Sequence, residues 1–122
     1  FVGIAGANRG LTNCYPYPAY LAATCDDETG LYPGYLWWGS VIGQSTILQD
    51  INSSSGYEGS YRYSIYSSND QIVGYGCLVY GSNTCHIPGQ TGTKNHSSYG
   101  HFGLKDYTGN TQYKMVVDHQ IP

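Results

Sequence analysis

The chain has 122 residues, a formal net charge of −3 and only 11% charged side chains, with 14 Tyr and 17 Gly in their place. That length suits one domain, 1–122, able to bury a core without a structural metal, and the aromatic content excludes a disordered segment. The basic residues Arg9, Arg62, Lys94, Lys105 and Lys114 are scattered, which excludes a nucleic-acid binder working by phosphate neutralisation and disfavours an anionic membrane surface. No 18-residue apolar run is present to span a bilayer.

In chain order, Phe1 to Ala7 is small and apolar and reads as a strand or a packing arm, ended by Asn8-Arg9-Gly10. Pro18 at a first helical position predicts a short helix over Ala19 to Thr24. Asp26-Asp27-Glu28-Thr29-Gly30 follows; it lacks the spacing of an EF-hand loop and reads as a solvated turn. Leu31 to Ile51 is β-rich, interrupted by Gly39 and Gly43. Trp37 and Trp38 are adjacent, so a strand there turns one outward, beside Tyr32 and Tyr35, as an exposed aromatic patch.

Ser60 to Tyr66 alternates Tyr61, Tyr63 and Ile65 with polar residues, the period of a half-buried strand. Ser67-Ser68-Asn69-Asp70 is a turn by composition, Gln71 to Tyr80 a second strand, and Gly81-Ser82-Asn83 a second turn. His86 to Ser98 reads as a long polar surface loop. Tyr99 to Asp106 and Thr111 to Asp118 form a last hairpin with Tyr113, Met115 and Val117 inward.

The four Cys allow three connectivities. Loop entropy favours a long bridge, over about 4 kcal/mol against about 2.5–3 for a short one. Proximity along the chain and the symmetry of Cys77 and Cys85 about Gly81 favour Cys14–Cys25 with Cys77–Cys85. The even cysteine set, the sequons at Asn52 and Asn95, and a start at Phe1 without Met point to a secreted, extracellular protein matured by removal of a leader. The fold expected is mostly β: a small antiparallel sandwich or barrel with one short helix near the N-terminus, stabilised by disulfides.

The residues offer several chemistries. A zinc site on His96 and His101, with Asp106 and His119 as further ligands, needs an irregular loop, because that spacing puts the two imidazoles on opposite faces of a strand. No metal or other cofactor is therefore assigned. Glu58, Arg62 and a histidine such as His86 or His101 are a general acid–base set. Tyr57-Glu58-Gly59, Arg62 and Ser68-Asn69-Asp70-Gln71-Ile72-Val73-Gly74 resemble fragments of the small secreted fungal guanyl-specific ribonucleases. The resemblance implies a ribonuclease, active or degenerate, with Cys77 standing where that family's hairpin histidine falls. No Gly-x-Ser-x-Gly elbow points to a Ser–His–Asp set. The preferred expectation is a non-enzymatic recognition protein, effector-, toxin- or lectin-like, binding a glycan or a cell-surface protein through Tyr32, Tyr35, Trp37 and Trp38. The other readings are the ribonuclease and a self-associating extracellular structural protein.

Overall fold

A computed structural model describes residues 1–15, 23–53 and 59–122. Among the described residues the strands are β1 (Val2–Ile4), β2 (Tyr35–Trp37), β3 (Ser40–Ile42), β4 (Tyr63–Tyr66), β5 (Leu78–Val79), β6 (Ser82–Asn83) and β7 (Gly92–Asn95). The α-helices are α1 (Thr46–Ser53), α2 (His101–Tyr107) and α3 (Gly109–Tyr113), the last running into a π-helical turn at Lys114–Asp118. The main sheet has the order β1-β4-β7, and both of its pairings are parallel, with Val2 opposite Tyr63 and Tyr66 opposite Asn95. Two antiparallel hairpins, β2–β3 and β5–β6, stand apart from it.

This is an α/β arrangement, and it overturns the expected all-β antiparallel sandwich or barrel. The physical reason lies in β4. Its alternation of apolar and polar residues suggested one wet face, but Tyr63, Ser64 and Ile65 are all buried, as in a parallel strand covered on both sides. Ser64 accepts burial because its Oγ donates to Gln90 Oε1 at 2.7 Å while its carbonyl receives Thr93 Oγ1 at 3.0 Å.

The expected C-terminal hairpin is likewise replaced by helices. Leu104, Thr108, Thr111 and Met115 are buried, and their spacing of four, three and four residues is that of one helix face. Two threonines tolerate the core side, and the Thr108 hydroxyl does so by donating to the Leu104 carbonyl. Of the three residues expected inward, Met115 is buried whereas Tyr113 and Val117 are exposed. Gln71 to Tyr80 is not one strand either: Gly74 (φ 115°) and Gly76 (φ 78°) take left-handed angles and leave only Leu78–Val79 extended. The polar stretch from His86 to Ser98 contains β7.

The β-rich reading of Leu31 to Ile51 holds for the β2–β3 hairpin and fails at α1. Ser45, fully buried, caps that helix: its Oγ donates to the Gly30 carbonyl at 2.7 Å and accepts from Leu48 N–H at 3.4 Å. The carbonyls of Asp27 and Glu28 take the next two free N–H groups, those of Thr46 and Ile47. The helix expected over Ala19 to Thr24 lies outside the described residues as far as position 22; Ala23–Cys25 is a single 3-10 turn. Cys14 is bonded to Cys25 and Cys77 to Cys85.

The core has two parts. Tyr63, Ile65, Leu104 and Met115 clamp β4 against α2 and the C-terminal helical turns, with Val2, Ile4 and Ala5 packed on them. Val73, Cys77 and Cys85 form the second part, with Ala5, Leu11 and Tyr66 alongside.

The two-residue turn of the β2–β3 hairpin is Trp38-Gly39, with φ of 52° and 80°. Both central positions need positive φ in such a turn, a conformation that disfavours a bulky L-residue at the first of them by about 1–2 kcal/mol. Trp38 is 91% exposed, so little packing offsets that strain. Trp38→Gly is therefore expected to raise stability by about 0.5–1 kcal/mol, after allowance for the freer unfolded chain, read as a rise in thermal midpoint. A lower midpoint would show that the indole is held by contacts worth more than the strain.

Candidate active site

The parallel sheet sends the chain out of β1, β4 and β7 at the same end, the end where open α/β sheets carry their sites. Behind β4 comes the turn Ser67 to Asp70. Asp70 is fully buried, and it is satisfied there: Oδ1 accepts the N–H groups of Ile72 (2.9 Å) and Val73 (2.8 Å). Its second oxygen, Oδ2, faces His101 Nδ1 at 2.8 Å. His101 is the first residue of α2, behind β7, and its side chain is 25% exposed.

The two loops are laced together, which fixes this pair. Asn95 Oδ1 accepts Ser68 N–H at 3.0 Å, Asn69 Nδ2 donates to the Ser97 carbonyl, and His96 N–H donates to the Tyr66 carbonyl at 2.8 Å. Gln71 Oε1 accepts the backbone N–H of His101 itself at 3.0 Å. A carboxylate whose one oxygen is held by two backbone donors has the other aimed in a fixed direction, and here it is aimed at an imidazole. An Asp⁻ acceptor on Nδ1 selects the tautomer with the proton on Nδ1, leaving the Nε2 lone pair free to act as a base.

Next to the imidazole lies a cavity of about 530 Å³ lined by Val2, Ile4, Ala5, His101, Phe102, Lys105 and Asp106. Its apolar part, from β1 and Phe102, is suited to a hydrocarbon chain. Ala5, at φ 51°, turns the backbone away just where β1 ends. Among the described residues no Ser, Thr or Cys lines this cavity.

The residues singled out from sequence fall in different places. Tyr35, Trp37 and Trp38 are exposed on the β2–β3 hairpin and Tyr32 is half-buried at its base. Glu58 lies outside the described residues, and Arg62 precedes β4, at the far end of the sheet from Asp70 and His101. The histidines considered for zinc are divided among separate partners: His96 Nε2 is 2.9 Å from Thr111 Oγ1, His101 is on Asp70, and the His119 ring stacks on Tyr61 at 3.8 Å. Among the described residues no three His, Cys, Asp or Glu side chains are grouped to hold a metal. Asp26 Oδ2 accepts the N–H of Thr29 and then that of Glu28, which holds its carboxyl below the usual value in an ordinary turn. Asn52 Nδ2 donates to the Asn8 and Leu48 carbonyls, whereas Asn95 is exposed beside Ser68. Sequence reasoning took Asp70 for a turn residue only. The available signal was the order of an acidic turn behind one strand and a histidine opening a helix behind the next.

Two other histidines set a pH dependence of folding. Burial first, and the Lys94 charge second, pull His96 below the ordinary histidine value; burial and then Arg9 do the same to His86. The folded protein therefore binds fewer protons than the unfolded chain in the window just below about pH 6.5, and stability falls as pH drops through it. Thermal midpoints are expected to decline from pH 7.5 to pH 5.5, and to decline less in a His86→Gln/His96→Gln variant. An equal slope in both would contradict the assignment.

A sequence model of the family described as Lipase (class 2) matches residues 1–114. No curated protein and no solved structure matches the chain. The family match points to an enzyme and overturns the expectation of a non-enzymatic, effector-, toxin- or lectin-like recognition protein.

Proposed function

The chain belongs to the class 2 lipase family, and on that premise we propose that Asp70 and His101 are the orienting carboxylate and the general base of a hydroxyl-nucleophile ester hydrolysis acting on lipid esters. The observation that carries this is the 2.8 Å contact from His101 Nδ1 to a fully buried Asp70 at the loop end of a parallel sheet, beside a cavity with one apolar wall. Acid before histidine in the chain is also the order found after the nucleophile in α/β-hydrolases.

The chemistry follows from the geometry. His101 Nε2 takes the proton of a nucleophilic hydroxyl as its oxygen attacks the ester carbonyl. The resulting imidazolium is stabilised by Asp70 and returns that proton to the departing alcohol. Water then attacks the acyl-enzyme, with His101 again receiving the proton, and the acid leaves. Val2, Ile4 and Phe102 supply the wall for the acyl chain. Two disulfides support an oxidising, extracellular place of action.

The test uses p-nitrophenyl esters of increasing acyl length and a fluorophosphonate label. Hydrolysis is expected, with a covalent adduct on a serine located by mass spectrometry. A folded protein that neither hydrolyses any ester above the buffer rate nor takes the label would contradict the reading.

A further inference from the structure

The β2–β3 hairpin is thinly covered: Val41 and Ile42 line a groove with Arg9, Val79 and Tyr80, while its tip stands clear. Its six strand residues are all exposed, Trp37 at 59% and Leu36 at 51% among them, and Trp38 stands at the tip at 91%. A two-stranded hairpin with so little packed on it is marginal in water, yet its base is fixed. Ser45 N–H donates to the Tyr32 carbonyl at 3.1 Å, the Tyr80 hydroxyl donates to the Gly34 carbonyl, and the backbone of Ile42 and Gln44 closes so tightly on Gly34 that a Cβ there would sit 2.6 Å from the Ile42 oxygen. A firmly rooted apolar finger projects from the molecule.

Strain and charge narrow what the finger is for. Trp38 holds a left-handed angle while projecting into solvent, with the Trp37 ring edge-on to it at 6.3 Å. Strain kept at an exposed tip is a signature of a working surface. Residues 35–44 carry no charged side chain, so the finger offers a protein partner no ion pair and an anionic surface no attraction. Near its base stand the Asp26-Asp27-Glu28 turn, whose carbonyls receive the first N–H groups of α1, and the single cation Arg9, which lines a groove with Val41 to Gln44, so the surroundings of the finger hold no surplus of positive charge to draw anionic lipid. Indoles favour the boundary between water and hydrocarbon, where the ring is in apolar surroundings and its N–H meets polar groups.

We propose that the β2–β3 hairpin docks the protein on lipid surfaces of no net charge by inserting Trp37 and Trp38. The inference rests on the reading of the protein as a lipid-ester hydrolase, whose substrate molecules are packed in such surfaces, and names how that enzyme is held there.

The test is flotation of the intact protein with phosphatidylcholine vesicles, beside a Trp37→Ala/Trp38→Ala variant. Hydrolysis of an emulsified triglyceride and of a water-soluble short-chain ester is measured on both proteins. The wild type is expected to float, the variant to partition at least about tenfold more weakly, and the ratio of emulsion to soluble-ester turnover to fall by a similar factor. Trp38→Gly separates docking from folding, because it relieves the turn yet is expected to weaken flotation. Equal partition of wild type and variant, no flotation of the wild type, or a wild-type dimer that the double variant dissolves would each overturn the proposal. Soluble-ester hydrolysis persisting in those cases leaves the catalytic reading standing, whereas vesicle binding with no ester hydrolysis by the wild type would remove that reading and the proposal with it.

Discussion

His101→Ala lowers kcat/KM for ester hydrolysis by roughly 10³–10⁴-fold or more while leaving the fold intact. The imidazole is partly exposed and packs its ring edge-on to the exposed Phe102 at 5.2 Å, so its removal opens no core cavity; leaving buried Asp70 Oδ2 without the imidazole costs about 1–3 kcal/mol of stability, read as a lower thermal midpoint. What is lost is the base. Asp70→Asn has a related effect by another route: the amide oxygen still takes the Ile72 and Val73 N–H groups, but its NH₂ faces Nδ1 and selects the opposite tautomer, with Nε2 protonated. The circular dichroism of both variants is expected to match the wild type. An active His101→Ala protein would remove this histidine from the chemistry.

Leu104→Ala carries the largest effect on stability. Leu104, on the inner face of α2, is fully buried in the cluster it forms with Tyr63, Ile65 and Met115. Truncation there leaves a cavity and costs about 2–5 kcal/mol, read as a drop in denaturant midpoint without a change in slope. Because His101 opens the helix that Leu104 anchors, catalysis is expected to fall as well, through kcat more than KM. A loss below about 1 kcal/mol would mean that α2 is held by its loops and not by its core face.

Some of this architecture was readable in the residues and some was not. The strand at the N-terminus, the strand ending at Tyr66 and the turn after it are legible because composition and local hydrogen bonding decide them. The direction of pairing is a long-range property. Ser64 appears solvent-facing until Gln90 and Thr93 are seen to satisfy it, and with that satisfaction β4 becomes an interior parallel strand. The C-terminal helices escaped notice because two of their four core positions, Thr108 and Thr111, are β-branched and polar, which favours a strand reading, although the spacing to Leu104 and Met115 is helical. The same blindness hid the site. Asp70 and His101 are 31 residues apart, and only the lacing of Ser68, Asn69 and Gln71 onto Asn95, Ser97 and His101 brings them together. With no Gly-x-Ser-x-Gly elbow in the sequence, no local motif points to the Asp70–His101 pair.

The coupling of Asp70 to His101 is tested most directly by a double-mutant cycle on kcat/KM for a soluble ester, with Asp70→Asn, His101→Ala and the two combined. Residues acting as one unit are non-additive. The double variant is therefore expected to be no slower than His101→Ala alone, since a carboxylate that works only through the imidazole has nothing left to orient. A double variant slower by the product of the two single losses would show that Asp70 and His101 act independently, and would contradict the assignment of Asp70 as the residue that positions the base.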